Sequence, residues 1–382
     1  MEIDGYTIEP GANLIGAVLD GADLSGADLS GAFLNNAILV GANLTGAELQ
    51  RSWLPGADLS NADLSGAQAQ GAYLEDANLS EANLESANLL MAWLKGANST
   101  GANLSKANLN RAWLEGADLS NANLSGAQAF GIALQSANLS EANLESTLLV
   151  QAWLKEANLA GANLSKANLD RAWFIGADIS NGDLSGADCV SANFLNADMS
   201  GINLSGANLL LACLEEANLS EANLESANLF QAWLKEANLA GANLSKAILN
   251  RAWFKGADIS NGDLSGTECG MANFFNADMS GVNLSGADMV LACLEGANLS
   301  EANLESANLI QAWLKKANLA GANLSKANLN NALLYSADLS NADLSGASLM
   351  AANLHLADIS GANFFGAHRH MMTKPDGMLH LD

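Results

Sequence analysis

Much of what a chain of 382 residues normally carries is scarce here. Aromatic residues make up 5% of the positions, proline occurs three times, and histidine and cysteine four times each. Apolar residues nevertheless reach 49%, so the apolar content is mostly alanine and leucine. A core made of one small and one medium side chain, without bulky fillers, implies one packing unit used many times. The histidines, His355, His368, His370 and His380, are confined to the C-terminal region, which leaves most of the chain without the commonest acid–base group. His368-x-His370 has the form of a metal-ligand pair but reads better as part of a polar tail, so neither a metal nor a cofactor is expected. Cys189, Cys213, Cys269 and Cys293 show no CxxC or zinc-ligand spacing. They form two pairs offset by 80 residues, as products of a duplication, and are expected to be reduced and structural. Ser-His-Asp arrangements, glycine-rich phosphate loops and HExxH are absent too, so no catalytic residue is assigned and the chain is not expected to be an enzyme.

Positive charge is the next deficit. Sixteen Lys and Arg stand against 41 Asp and Glu, a formal net charge of −25. Direct binding to nucleic acid or to an anionic membrane needs clustered cations and is therefore excluded. No apolar run approaches a membrane span, and Met1-Glu2-Ile3-Asp4-Gly5-Tyr6 has neither the positive nor the apolar region of a secretory signal. The expected compartment is the cytoplasm.

What the chain does have is a period of five. From Leu14, Leu19, Leu24 and Leu29 to Leu354, Ile359 and Phe364, an A-(N/D)-L-S-x unit repeats 71 times without a phase break. Five matches neither the 3.6 period of a helix nor the strict alternation of a strand. It fits a short extended segment followed by a corner. Longer spacings give the number of corners per turn. The block Ala-Asn-Leu-Ser-Glu-Ala-Asn-Leu-Glu-Ser starts at Ala77, Ala137, Ala217 and Ala297, and all eight tryptophans are separated by multiples of 20. Four pentapeptides per coil place every tryptophan in one column, whereas three scatter them.

This A-(N/D)-L-x-x run resembles the pentapeptide-repeat proteins over about residues 10–366. The resemblance implies an all-β fold, a right-handed quadrilateral parallel β-helix of about 18 coils of 20 residues, with Leu and the preceding Ala pointing inward. At about 4.8 Å per coil, such a solenoid would extend about 85 Å. The organisation expected is one solenoid domain over residues 1–382, with a lead-in at 1–9, repeats at 10–366 and a tail at 367–382 that breaks the period. The Pro-Asp-Gly near the end resembles the terminal segment of cyanobacterial members. Ala69, Ala129, Cys189, Cys269 and Ser99 depart from the inward Leu, and Ser99 should be the weakest core position unless its hydroxyl finds a partner.

The sharpest outward feature is aromatic. Trp53, Tyr73, Trp93, Trp113, Trp153, Trp173, Trp233, Trp253 and Trp313 occupy the slot just before the inward Leu. Phe33, Ala133, Asn193, Cys213, Asn273, Cys293 and Leu333 fill the other coils of the column. Leu90, Met91, Val150, Leu210, Leu211, Phe230, Val290, Leu291 and Ile310 lie beside it. Two readings are compatible: a stacked ladder that stabilises neighbouring coils, and an exposed surface that docks a protein partner or a second copy of the chain. Arg51, Arg111, Arg171 and Arg251, two residues before a Trp, and Lys95, Lys155, Lys235 and Lys315, two after, are expected to make cation–π contacts along the stripe, with ligand binding as the alternative.

The leading expectation is a non-catalytic interaction scaffold that works through the tryptophan face. The alternative follows from the resemblance: some pentapeptide-repeat proteins mimic DNA and occupy the DNA site of gyrase and other type II topoisomerases. Asp58, Asp118, Asp178, Asp198, Asp258, Asp278, Asp338 and Asp358 form the column suited to that role. Duplex DNA carries a charge about every 1.7 Å, and a net −25 over the expected length is about half that density.

Overall fold

The computed structural model describes residues 2–380, which divide between Asn193 and Phe194 into two compact units. Each is wound from the same right-handed four-sided coil. In the first unit parallel bridges join residues 20 apart, as in Asn43 to Asp63 and Asp63 to Asn83; in the second the same register joins Asn223 to Asn243 and Asn243 to Asp263.

One pentapeptide explains why the sequence closes this way. In Ala77–Glu81, Asn78 N–H donates to Ala57 of the preceding coil at 2.9 Å, and Leu79 and Glu81 N–H donate to Asn98 and Thr100 of the next at 2.6 and 2.9 Å. Ala77 N–H closes the corner on the Leu74 carbonyl at 3.1 Å. That leaves Ser80 N–H, which donates to Asn78 Oδ1 at 3.2 Å. All five amide donors are thus engaged, as buried backbone demands, and the fifth is met by the Asn side chain, which favours Asn or Asp at that position. The corner also needs a positive φ at its third residue. Gly supplies it at Gly16 (65°), while Glu81 accepts it at 57°.

The inward positions are as expected. Up to Ala357, Leu and Ala side chains fill the coils with little or no exposure, and Phe174, Phe194, Phe254 and Phe274 replace Leu without leaving the core. Each buried Leu contributes roughly 1.5–3 kcal/mol. Ser99 is buried in the same register. All four cysteines are free thiols, with Cys189 and Cys269 in the core. Burial pushes the Cys269 thiol up to about 12 and raises the Cys189 thiol as well, which keeps both as unreactive neutral thiols.

The ends differ from the sequence reading. Residues 2–7 form an antiparallel hairpin, β1 (Glu2–Ile3) and β2 (Tyr6–Thr7), turning through Asp4 and Gly5, both with positive φ. Asp-Gly with that geometry is the preferred two-residue hairpin turn. The Tyr6 hydroxyl accepts Val18 N–H of the first coil at 3.3 Å, so the hairpin supplies an acceptor where no earlier coil exists. At the other end the Leu register is lost after residue 366, yet the coil continues. Ser348 pairs with His368 and Asn353 with Thr373, and Leu356 N–H donates to the Pro375 carbonyl at 3.0 Å. Arg369 takes the inward Leu register there, with its guanidinium 5.7 Å from the Phe364 ring. The chain then folds back through Pro375-Asp376-Gly377, with Thr373 bridging Leu379 antiparallel.

Candidate docking surface

The position before the inward Leu points outward, so every residue there stands one coil above its counterpart 20 earlier. In the first unit Trp53 and Tyr73 stack at 4.2 Å between centroids, Tyr73 and Trp93 at 6.1 Å, Trp93 and Trp113 at 5.4 Å, and Trp153 and Trp173 at 6.2 Å. In the second unit Trp233 and Trp253 stack at 5.6 Å, 9° from parallel. The ladder expected from the spacing is present in both units. Stacking nevertheless hides only the ring faces: the eight tryptophans remain 40–56% exposed. The same side chains therefore both brace the coils and present an apolar edge to solvent.

The flanking side chains extend that edge unevenly. Met91, Leu211 and Leu291 are exposed, but Leu90, Val150, Leu210, Phe230, Val290 and Ile310 are half-buried against the coil. The basic residues correct a second expectation. Arg111 and Arg251 lie over Phe130 and Phe230, at 5.9 and 6.0 Å, rather than over tryptophan. Lys95 and Lys315 pair with Glu115 and Glu295 at 3.1 and 3.2 Å, and Lys155 and Lys235 with Glu156 and Glu236 at 3.2 and 3.3 Å. A carboxylate within reach outcompetes a ring face already covered by its neighbour in the stack. Such exposed pairs contribute at most about 1 kcal/mol each. Their effect is to leave the aromatic edge apolar, with its cations held at the rim.

The aspartate column is built differently. Oδ1 of Asp58, Asp118, Asp178, Asp198, Asp258, Asp278, Asp338 and Asp358 accepts the N–H of the serine two residues on, at 2.9–3.1 Å. Asn78, Asn138, Asn218 and Asn298 donate side-chain amides to Asp58, Asp118, Asp198 and Asp278 as well. Burial alone would raise the Asp118 carboxyl, but the Ser120 N–H and hydroxyl with the Asn138 and Thr100 side chains outweigh it and hold it below the usual carboxylate range. These carboxylates serve as corner acceptors, and two Asn residues separate Asp58 from Asp118 in the column. At three coils apart, those two charges are about 14 Å from each other, whereas phosphates along one DNA strand repeat every 3.4 Å or so.

The histidines meet only in part. His368, His370 and His380 line a cleft with Met350, Ala367 and Arg369. Among the described residues, no group of three or more His, Cys, Asp and Glu is placed to hold a metal ion, and no helix is long and apolar enough to cross a membrane.

With this geometry in view, the comparison with known families is decisive. The model for pentapeptide repeats matches in overlapping segments that together cover residues 11–98, 100–132 and 137–368. The chain belongs to the pentapeptide-repeat family. Among solved structures, this pentapeptide-repeat protein is similar to HetL of the cyanobacterium Nostoc sp. strain PCC 7120, a regulator of heterocyst differentiation, at 33% identity over 57% of this chain and 91% of HetL (TM-score 0.31). QnrB1, a plasmid-mediated fluoroquinolone resistance protein, matches at 19% identity over 45% of this chain and 88% of its own (TM-score 0.36). A pentapeptide-repeat protein of the Arabidopsis thaliana thylakoid lumen matches at 31% identity over 27% and 68% (TM-score 0.17). No curated protein sequence matches the chain.

Proposed function

We propose that this pentapeptide-repeat protein is a non-catalytic interaction scaffold that docks protein along its tryptophan stripe, a second copy of the chain being the first candidate. The observation that carries this reading is the stripe's simultaneous order and exposure. At about 200 Å² per aromatic side chain, half-exposed Phe33, Trp53, Trp93, Trp113, Trp153 and Trp173 present about 600 Å² in the first unit alone. That exceeds a scattered surface residue or two and approaches the roughly 800 Å² per partner of a stable interface once the flanking residues are added. Trp and Arg are also the residues on which binding energy concentrates. A second copy suits the stripe because its rings sit at whole multiples of one coil, so that the two surfaces share a period.

The test is sedimentation equilibrium of the full chain beside a variant with Trp93, Trp113, Trp153 and Trp173 changed to Ser. Association lost in the variant, with the circular dichroism of the coil retained, supports the reading. A wild-type chain that stays monomeric at tens of micromolar, roughly where a contact of −6 to −7 kcal/mol would show, removes the second copy as partner.

The alternative, occupation of a type II topoisomerase's DNA site, draws on the net charge of −25 and the aspartate column. Its separate test is a gyrase supercoiling assay with and without a quinolone. Inhibition or protection at micromolar protein, lost when Asp58, Asp118 and Asp178 become Asn, would favour it over docking through the stripe.

A further inference from the structure

Within the first unit the aromatic column is interrupted once between two tryptophans. Trp113 and Trp153 are separated by the single coil of Ala133, and the backbone runs through that coil undisturbed: Trp113 bridges Ala133, Ala133 bridges Trp153, and Ala133 N–H donates to Ala112 at 3.0 Å. Only a side chain is missing. The result is a cleft of about 440 Å³ lined by Met91, Trp93, Arg111, Trp113, Gly131, Ala133, Gln135 and Trp153.

Its dimensions follow from the column itself. Rings on successive coils stack at 4.2–6.2 Å throughout the unit, so a gap of one coil is one ring thick. Two inter-strand spacings separate its walls by about 9.7 Å at the backbone. The walls are ring faces, the floor is a methyl group and a glycine, and one side is formed by Gln135. Oε1 of Gln135 is shielded from solvent and has no hydrogen-bond partner. A shielded acceptor left unpaired is costly, and the terminal torsion of glutamine is broad, so the amide can turn toward a donor placed in the gap. Arg111 lines the same cleft, and its guanidinium lies 5.9 Å from the Phe130 ring.

We infer that this gap is a binding slot for one flat aromatic heterocycle carrying an N–H donor, supplied as a free small molecule, sandwiched between Trp113 and Trp153 with its N–H on Gln135. The inference is independent of docking through the stripe, since a monomeric chain offers the slot equally.

The probes are indole and 1-methylindole, which share the ring and differ in the donor, each titrated into the full chain by calorimetry. Indole should bind with Kd in the range of about 1 mM or below, and about fivefold more tightly than 1-methylindole, the value of one hydrogen bond. Ala133→Trp completes the ladder with a residue native to this column on eight coils, and should abolish binding while the melting curve holds or rises. Gln135→Leu should keep the ring bound and erase the difference between the two probes. Undetectable indole binding by the wild type, or equal binding by Ala133→Trp, overturns the slot. An unchanged preference for indole in Gln135→Leu overturns the role of its amide. If N-acetyltryptophanamide binds about tenfold more tightly than indole, the ring belongs to a partner's tryptophan and the free-heterocycle assignment falls.

Discussion

Replacing Asn103 by alanine removes three interactions at once, which makes it a quantitative test of what holds one coil to the next. Asn103 Nδ2 donates to Asn83 Oδ1 at 3.0 Å, and its Oδ1 accepts Asn123 Nδ2 at 3.3 Å and Ser105 N–H at 3.2 Å. Two of these are links in an amide ladder and the third satisfies a backbone donor that the coil cannot. Neutral hydrogen bonds of this length are worth about 0.5–1 kcal/mol each, and a nearly buried amide left without an acceptor adds about 1 kcal/mol, so the loss should be about 2.5–4 kcal/mol. Asn103→Asp separates the contributions. The carboxylate keeps Ser105 N–H and Asn123 but cannot donate to Asn83, and should cost about 2–3 kcal/mol less than alanine. The assay is amide hydrogen exchange by mass spectrometry on the peptide containing Ser105, read beside the urea midpoint, because a repeat array opens coil by coil and an unfolding curve alone averages over it. Alanine should speed exchange at Ser105 by at least tenfold, with Asp close to wild type. An alanine variant costing under about 0.5 kcal/mol, or unchanged exchange at Ser105, refutes the assignment of the fifth donor and with it the reason the repeat favours Asn or Asp.

Other outcomes follow from the same geometry. The carboxyls of Asp63 and Asp118 are held below the ordinary 3.8 because hydrogen bonds outweigh burial, so their contribution to stability is complete above that value and is lost as pH falls through the lowered folded value. Thermal melts should be flat near neutrality and drop only below about pH 4, and Asp118→Asn should make the acid limb shallower; a limb unaffected by that change contradicts the assignment. Tyr6→Phe takes the acceptor from Val18 N–H and should raise hydrogen exchange in the first coil while leaving the second unit unchanged. Ser99→Leu restores the residue found at Leu79 and Leu119 in the same column and should stabilise by about 1–2 kcal/mol, read as a higher melting temperature.

The coil and its aromatic column were legible in the sequence because phase alone decides which residues meet: a spacing of 20 stacks Trp93 on Trp113 whatever the side chains do next. The features missed depend on events outside the period. The Asp4-Gly5 hairpin was signalled by its dipeptide but lay outside the repeat. The coil through Pro375 was hidden because Arg369, tolerated beside the Phe364 ring in the last, half-open coil, breaks the Leu register. Partner choice by Lys95 and Arg111 is a rotamer outcome, set by where Glu115 and Phe130 stand on the neighbouring coil. The substitution at Ala133 was visible in the column, but that it leaves an open slot with an unpaired Gln135 depends on how the side chains around it settle.

The proposed docking surface makes the exposed tryptophan edge a contact between protein molecules. Hydroxyl-radical footprinting of the full chain at rising protein concentration tests it residue by residue. Oxidation of Trp93, Trp113, Trp153 and Trp173 should fall together as association proceeds, while exposed Phe365, outside the stripe, keeps its rate. Tryptophan oxidation that does not change with concentration, or protection that appears elsewhere and spares the stripe, would contradict it.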